Sequence, residues 1–417
     1  MLVKRCRSHS GTTSRQVRMK ILQPTSSKCY LVISVLAIII LTFCLYNWTV
    51  VDKSEYEGSL QEYEGQETSP TERTTNSSWR RVVPPKKILF WTKMFSSRNF
   101  YMGEGDLFKG CPVSACWGTD DKNHQPVEDF DALLFHGPDM TSVPIPKTRS
   151  PKQVYIFLDM ETPLSQKIRK IKVFEDLFNW TVTYRRDSDL MRPYGIFRMV
   201  SGNHVMPPHI PAQWQDVSKD KVPEDAKIAF SGKTKLAAWF VSNCATSSKR
   251  EDLAKELKNF MDVDIYGRCG TLECSRDNSS ACQRMLDKDY FFYFAFENSL
   301  CPDYVTEKVF NAMQVNVVPV VYGGADYPSI LPPGSFVDVQ DFQSPKELAE
   351  FLKALAKDSK RYLDYFRWKA RYKVDLNAMN FNCELCKALH ENRKPQVVRN
   401  LHRWWNDNSG CKSGPLL

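Results

Sequence analysis

The sequence predicts an α/β protein with two Rossmann-like domains that face each other across a cleft. Short apolar runs alternate with helical patterns along the second half of the chain. That order is typical of a parallel sheet with helices on both faces. The first half contains further short apolar runs of the same kind. A polar, proline-rich stretch at about 203–225 lies between the halves and is the candidate domain boundary.

The individual elements follow from these patterns in chain order. In the first half we expect a proline-rich loop over 137–153 and strands over 87–91, 131–136 and 154–158. In the second half we expect, in order, strand 236–241, helix 249–260, strand 264–266, strand 290–296, helix 307–315 and strand 317–322. Pro319 is unfavourable inside that last strand, because proline cannot donate to a hydrogen-bond ladder.

The N-terminal part predicts a membrane anchor. Residues 1–29 form a cytosolic tail with seven basic side chains and no acidic one. The apolar run within 30–51 has about the length that spans a bilayer, and basic residues precede it. It could instead be a signal peptide or a buried helix, but no small residues suited to cleavage follow it, so we expect an uncleaved signal-anchor. Residues 52–85 are polar and lack apolar periodicity, which predicts a flexible stem.

Charge argues against a nucleic-acid partner. The net charge is +9, but outside the basic tail 50 basic residues stand against 48 acidic ones. A large body without charge bias is not typical of a polyanion-binding protein.

The cysteines and sequons indicate a secretory lumen. Ten of the thirteen cysteines follow the predicted span, and an even number in that compartment is typical of disulfides. The alternative is a zinc site, which spacing alone permits for Cys111, Cys116, Cys383 and Cys386. Sequons predict N-glycosylation at Asn76, Asn179 and Asn278.

Polar side chains follow the predicted strand 290–296 in the sequence FENSLCPDYVTEK, residues 296–308. In open α/β sheets, ligands bind beyond the carboxyl ends of strands. The start of the next helix favours an anion, and Lys308 adds a full positive charge there. This loop therefore predicts a site for a negatively charged ligand.

A second strand end has similar chemistry. Ser242 and Asn243 follow the strand over 236–241, and Arg250 lies in the next helix. Arginine can hold a diphosphate with a planar set of donors. Together the two strand ends suggest one ligand such as a nucleotide sugar. The alternative is that Arg250 and Lys308 only solvate helix starts.

FENSLCPDYVTEK resembles the donor-site signature of the α1,3-fucosyltransferases of the glycosyltransferase family 10 type. The segment from Val241 to Asn243, with Arg250, resembles the same signature, and the stretches 183–189, 344–349 and 365–368 are similar to other segments of that family. The resemblance runs from about residue 87 to 405. It implies a GT-B architecture, with two Rossmann-like domains facing across a cleft, and GDP-fucose as donor.

The resemblance also implies roles for individual residues. It assigns Arg250 and Lys308 to the diphosphate, and places in the donor site Ser242, Asn243, Tyr266, Asn298, Tyr304 and Glu307. It implies a general base at Glu161, within 158–163. From the residues alone, Glu161 lies just past a predicted strand end and could also be a surface acid, with Asp159 as the rival base.

The implied reaction moves L-fucose from GDP-β-L-fucose to the 3-hydroxyl of a GlcNAc residue in glycoprotein or oligosaccharide glycans. A β-linked donor and an α-linked product require one direct displacement. A carboxylate then takes the proton from the acceptor hydroxyl, and basic residues stabilise the leaving GDP. Because those basic residues already neutralise the phosphates, we expect no obligatory cofactor or metal, and Mn²⁺ would act only as a stimulator.

In the resembled family, cysteines near the start of the lumenal domain pair with a Cys-x-x-Cys near its end. This implies Cys111 with Cys383 and Cys116 with Cys386. The insert 266–282 is similar to invertebrate members, some of which fucosylate the innermost N-glycan GlcNAc, whereas 191–195 is similar to Lewis-type members. The acceptor, N-glycan core or LacNAc, stays open.

The expected organisation therefore has six parts: tail 1–29, signal-anchor 30–51, stem 52–85, acceptor-side domain 86–220, GDP-fucose-binding domain 221–395, and a segment 396–417 that packs back on the first domain. The expected location is the Golgi membrane, single-pass type II, with the catalytic domain in the lumen. Two other functions stay open: a metal-dependent Golgi transferase using another nucleotide sugar, and a non-catalytic type II membrane lectin.

Overall fold

Two parallel β-sheets form the framework of the protein. The computed structural model describes residues 83–417, apart from 104, 166–167, 169–170, 203–205, 276–278, 377–380 and 392–396. The predicted tail, the predicted membrane span and most of the predicted stem lie outside these residues. Within them, no helix is both long enough and apolar enough to cross a bilayer.

The first sheet has six parallel strands in the order β2-β1-β3-β4-β5-β6. Its strands are β1 Lys86–Phe90, β2 Cys116–Thr119, β3 Ala132–His136, β4 Val154–Asp159, β5 Trp180–Thr183 and β6 Leu190–Met191. Every residue of β3 and β4 is buried, as expected for central strands covered on both faces. The three strands predicted in this half are confirmed. The other three have only two to four residues and no long apolar run, so they were not predicted.

The second sheet has five parallel strands in the order β12-β11-β10-β8-β9. Its strands are β8 Lys235–Phe240, β9 Val263–Tyr266, β10 Tyr290–Phe296, β11 Val318–Tyr322 and β12 Val337–Asp338. The four predicted strands are confirmed. They include β11, which contains Pro319. Pro319 lies opposite Tyr293 of β10, and the pairing with β12 starts only at Val320, so one side of Pro319 needs no ladder partner.

Helices cover the sheets and connect their strands. Seven α-helices are described: α1 Glu224–Gly232, α2 Arg250–Leu257, α3 Ser279–Asp289, α4 Glu307–Met313, α5 Pro345–Lys357, α6 Ser359–Asp364 and α7 Phe381–His390. The predicted helices correspond to α2 and α4, and both are shorter than expected. Lys249 is left-handed, at φ 57°, so α2 begins after it. Phe260 lies beyond the end of α2 and is 39% exposed.

Short helical turns complete the described secondary structure. They are 3-10 helices at Val127–Asp129, Gly137–Ser142, Ile171–Phe174, Tyr327–Ser329, Val339–Asp341 and Arg367–Ala370, and a π-helix at Arg403–Asp407. The predicted loop over 137–153 thus begins with a helical turn.

The end of the chain returns to the first half. The strand β13, Tyr372–Asp375, pairs antiparallel with β7, Ile196–Met199. After it, α7 buries Phe381 and Leu385 in one core with Ile88 of β1. Two disulfides hold α7 in place, Cys111–Cys383 and Cys116–Cys386, the pairs that the resemblance implies. α7 thus packs on the first sheet, although it lies within the range 221–395 that was expected to form the second domain.

The C-terminal segment contacts both halves of the fold. Trp405 is fully buried, and its ring centroid lies 5.4 Å from that of Phe157 and 6.1 Å from that of Tyr184, both in the first half. Cys411, however, is bonded to Cys301 in the loop after β10. The segment thus links the halves instead of covering only the first.

Candidate active site

One cleft lies where the carboxyl ends of β4 and of the second sheet's strands face each other. Its empty volume is about 1380 Å³, including solvent at its mouth. All nine residues that the sequence analysis proposed for catalysis and donor binding line it: Glu161, Ser242, Asn243, Arg250, Tyr266, Asn298, Tyr304, Glu307 and Lys308. The carboxyl ends of parallel strands lie at one edge of each sheet, and the cleft brings residues from these edges of both sheets together.

A buried carboxylate holds Lys308 in the cleft. Glu297 is 1% exposed, and its Oε2 accepts from Lys308 Nζ at 3.0 Å. The amide and hydroxyl of Thr306 donate to Glu297 Oε1 at 2.8 and 2.9 Å. Burial raises the pKa of Glu297, although Lys308 opposes this shift. Sequence reasoning gave no role to Glu297, whose only signal was its place directly after a buried strand.

Lys308 itself remains a cation. Burial alone would lower the pKa of Lys308, but the carboxylates of Glu297 and Glu307 outweigh burial and raise it. The ammonium is therefore protonated at neutral pH and supplies a fixed positive charge to the cleft.

Arg250 supplies the second cation. Its side chain bridges two strand ends: Nη1 donates to the Phe296 carbonyl at 2.6 Å and Nη2 to the Asn243 carbonyl at 3.2 Å. Burial lowers the pKa of Arg250, against the opposing effect of Glu297, but a guanidinium stays charged in proteins. Nε is buried without a partner among the described residues. Since Arg250 is only 4% exposed, it does not merely solvate a helix start.

The remaining donor-site residues differ in what they can offer a ligand. Asn298 Oδ1 is buried and has no partner in the described part of the chain. The Tyr266 hydroxyl already pairs with that of Tyr290 at 2.7 Å. Gly267, after β9, has φ +93°, and a Cβ there would lie 2.7 Å from the Val241 carbonyl oxygen, so this turn requires glycine.

Glu161 faces these groups from the first half. Its Oε2 accepts from the Tyr304 hydroxyl at 3.1 Å and from the Ser165 hydroxyl at 3.2 Å. The rival base Asp159 is fully buried and does not line the cleft. Burial raises the pKa of Asp159 well above its usual range, and its Oδ1 accepts from the Glu161 amide at 2.9 Å. Of the two carboxylates, Glu161 thus lies in the cleft, whereas Asp159 lies beneath it and bonds to the Glu161 amide.

Sequence reasoning missed the wall that α3 contributes. Cys282, Gln283 and Leu286 of α3 line the cleft, but no helix was predicted at 279–289. The spacing of Cys282 and Leu286, four residues apart and both buried, was the available signal.

Disulfides surround this cleft. Cys244–Cys269 joins the loops that follow β8 and β9, and Cys274–Cys282 lies in the cleft wall. The one metal-ligand cluster within the described ranges is Cys116, Cys386 and His390. Its two cysteines are bonded to each other, so they are not available as thiolates for the zinc alternative.

Of the predicted glycosylation sites, Asn76 and Asn278 lie outside the described residues. Asn179 is 5% exposed, and its Oδ1 accepts from the Tyr155 amide at 2.8 Å. This burial argues against a glycan on Asn179 in the folded protein.

Two family models match the chain. Residues 230–404 match "Glycosyltransferase family 10 (fucosyltransferase) C-term", and residues 84–195 match "Fucosyltransferase, N-terminal". Alpha-(1,3)-fucosyltransferase C of Drosophila melanogaster is 41% identical over 342 residues, which cover 78% of this chain and 79% of that protein.

More distant relatives carry similar names. Glycoprotein 3-alpha-L-fucosyltransferase A of Drosophila melanogaster is 36% identical over a matched region that covers 72% of this chain and 56% of that protein. The human 4-galactosyl-N-acetylglucosaminide 3-alpha-L-fucosyltransferase FUT5 is 32% identical over a region that covers 88% of this chain and 94% of that protein. A solved α1,3-fucosyltransferase with GDP-fucose has 17% identity and a TM-score of 0.44, covering 79% of this chain and 96% of its own, a likeness too distant to carry an argument.

Proposed function

We propose, from the premise that this chain belongs to the fucosyltransferases of glycosyltransferase family 10, that it transfers L-fucose from GDP-β-L-fucose to the 3-hydroxyl of a GlcNAc residue in glycoprotein glycans. The observation that carries this proposal is the cleft in which the carboxylate of Glu161 faces the two cations of the other half, the buried Arg250 and the partly buried Lys308. Such a pairing suits a reaction in which a hydroxyl loses a proton while a diphosphate leaves.

Glu161 is the proposed general base. Both hydrogen bonds that it receives from the described residues go to Oε2, which leaves Oε1 to take the acceptor proton. The acceptor oxygen forms its bond to the anomeric carbon as the bond from that carbon to GDP breaks. The displacement inverts the β linkage of the donor to an α linkage, and no covalent enzyme intermediate is needed.

Arg250 and Lys308 are the proposed partners of the leaving diphosphate. The unpartnered Nε of Arg250 and the protonated ammonium of Lys308 support this assignment. Asn298, Tyr304 and Glu307 are proposed to bind the nucleotide and the fucose. With two fixed cations at the diphosphate, we propose that transfer needs no metal ion, which separates this function from a metal-dependent transferase.

We propose a lumenal location behind a single membrane span at 30–51. The five disulfides among the described residues support it, because such bonds persist in oxidising compartments. The acceptor is proposed to be either a LacNAc glycan or the core of an N-glycan, and the assay below distinguishes them. One relative's name specifies a 4-galactosyl-GlcNAc acceptor and another's a glycoprotein acceptor.

The test is a transfer assay with the purified full-length protein. It is incubated with GDP-fucose and EDTA, and with either a terminal LacNAc glycan or an N-glycan core glycopeptide. Mass spectrometry then looks for one added deoxyhexose. We expect transfer to one acceptor. Glu161→Gln should lower turnover by about 10²- to 10⁴-fold, the usual span for a general base, while GDP binding is retained.

Glu128→Gln is the matched control, because Glu128 is a carboxylate outside the cleft and its loss should leave turnover unchanged. Abolition of transfer by EDTA would contradict the metal-free mechanism. Glycan binding without any turnover would favour the lectin, and a folded protein that binds no GDP would overturn the proposed function.

A further inference from the structure

We propose that the hydroxyl groups of Thr162 and Ser299 position the general base relative to the donor site. This inference rests on the proposed function. Glu161 follows β4 in the first half, whereas Arg250 and Lys308 belong to the second half. A misplacement of about 1 Å between reacting groups can cost on the order of 100-fold in rate. The rate therefore depends on how the loops of the two halves are joined.

A direct bond joins these loops. Thr162 Oγ1 donates to Ser299 Oγ at 2.7 Å, between residues 137 apart in the sequence. Both side chains are fully buried. Thr162 is the residue after Glu161, and Ser299 is the residue after Asn298, so the bond connects the neighbours of two proposed site residues.

In the first half, further hydrogen bonds connect Thr162 to the carboxylate of Glu161. The Ser165 amide donates to Thr162 Oγ1 at 3.1 Å and makes the connection, because the hydroxyl protons of Thr162 and Ser165 go to Ser299 and Glu161. The two hydroxyl oxygens lie 2.9 Å apart. Ser165 Oγ in turn donates to Glu161 Oε2 at 3.2 Å. The orientation of the carboxylate is thus coupled to the position of the Thr162 hydroxyl.

On the side of the second half, the bond continues toward Arg250. Ser299 Oγ lies 3.3 Å from Ser247 Oγ, which donates to the Asn298 carbonyl at 3.1 Å. Ser247 lies in the loop that leads into α2, three residues before Arg250. We call these four hydroxyl groups, those of Ser165, Thr162, Ser299 and Ser247, the hydroxyl bridge. It runs from the base to the loop that presents the arginine.

The chemistry of the hydroxyl bridge is better suited to fixing the arrangement of the two loops than to stabilising the fold. Burying a hydroxyl group costs free energy unless its hydrogen bonds are made, and an apolar contact could join the loops without that cost. A hydrogen bond between buried hydroxyls is directional, so it selects one arrangement of the loops. The Tyr304–Glu161 bond is a second contact across the cleft, and two attachments restrain rotation as well as distance.

The test is a double-mutant cycle on the full-length protein. Thr162→Val removes one hydroxyl at constant shape, Ser299→Ala removes the other, and the double variant removes both. Thr162→Ser keeps the hydroxyl and serves as the rescue. Thr181→Val and Ser335→Ala are matched controls, because these buried hydroxyls bond within their own half, to Asp189 and to the Pro332 carbonyl.

We expect each single variant to lower kcat by roughly 10- to 100-fold, with KM for GDP-fucose within about twofold of wild type. The double variant should be no slower than the slower single variant, because both act through one bond. Thr162→Ser and both controls should keep wild-type kcat. Thermal unfolding shows which variants are folded.

Additive losses in the cycle would overturn the proposal, as would an unchanged kcat in folded variants or a raised donor KM at constant kcat. The wild-type assay separates the two levels of inference. Absence of transfer by wild type overturns the proposed function, whereas transfer by wild type with additive losses overturns only the hydroxyl bridge.

Discussion

Single residues in the cleft depend on one another for charge balance. Glu297 is 1% exposed, and the main partner of its charge is Lys308 of the cleft, at 3.0 Å. Removing one partner of a buried ion pair leaves the other charge desolvated and uncompensated. Lys308 therefore neutralises Glu297, in addition to its proposed contact with the phosphates.

The first prediction concerns Lys308→Met. The substitution leaves Glu297 buried without its cation and should lower the free energy of unfolding by about 3–5 kcal/mol at pH 7. Burial already raises the pKa of Glu297, and a carboxylate with a raised folded-state pKa gains stability as the pH falls. The deficit should thus shrink toward pH 5 in denaturant titrations.

Lys308→Met combined with Glu297→Gln removes both charges and is the matched control. It should be more stable at pH 7 than Lys308→Met alone, although it should still bind GDP weakly. Equal stability of Lys308→Met and wild type at pH 7 would contradict this account of the pair.

At the scale of elements, the loops after neighbouring parallel strands pack backbone against backbone. Gly324 follows β11, and a Cβ there would lie 2.5 Å from the Leu300 carbonyl carbon and 2.6 Å from the Cys301 amide nitrogen. Those atoms belong to the loop after β10, which carries Asn298 and Tyr304. Contacts with main-chain atoms cannot be relieved by a side-chain rotation. The two loops can therefore approach this closely only with glycine at position 324.

The second prediction is that Gly324→Ala displaces the loop after β10. We expect it to lower the free energy of unfolding by roughly 1–3 kcal/mol, the usual cost of overpacking, and to weaken GDP binding as well. Thermal unfolding and a GDP titration measure the two effects. Gly232→Ala is the control, because a Cβ there meets only the Lys288 carbonyl oxygen at 3.5 Å. Similar behaviour of the two variants would contradict the close approach.

At the scale of the whole molecule, covalent bonds tie distant parts of the chain together. Cys111–Cys383 and Cys116–Cys386 span 272 and 270 residues and attach α7 to the first sheet. Cys301–Cys411 spans 110 residues and attaches the C-terminal segment to the donor-site loop. The first two bonds connect nearly the same two places in the sequence, so they close almost the same large loop of the unfolded chain.

The third prediction is that the first two disulfides are strongly non-additive. With one bond present, the other closes only a short additional loop, and its removal by paired alanines should cost about 2–3 kcal/mol in the chain-entropy model. Removing all four cysteines opens the large loop as well and should cost more than the two single-pair losses together. Denaturant unfolding of the three variants measures this. A four-cysteine loss equal to the sum would contradict the shared-loop explanation.

The cleft illustrates which long-range features a sequence can predict. Arg250 and Lys308 were expected together because each comes after an apolar strand of one sheet, and parallel strands end at the same edge. Glu161 was expected near them because it follows a strand of the other sheet, at the end that faces the cleft. The family resemblance then supplied their roles. The partner of Lys308 was missed, since Glu297 looked like one of several polar residues in the same loop. The position of α7 was also missed, because nothing local in 381–390 shows which sheet its apolar face covers.

The sequence by itself determined the seven strands with recognisable apolar runs and the strand ends that carry the cleft's residues, because periodicity and loop chemistry act between near neighbours in the chain. Only the tertiary structure decided which residues meet across the two halves. Those decisions include the Thr162–Ser299 bond, the pairing of Cys301 with Cys411, and the return of α7 to the first sheet. The physical reason is that such contacts join residues more than a hundred positions apart, and they form only after both sheets have packed.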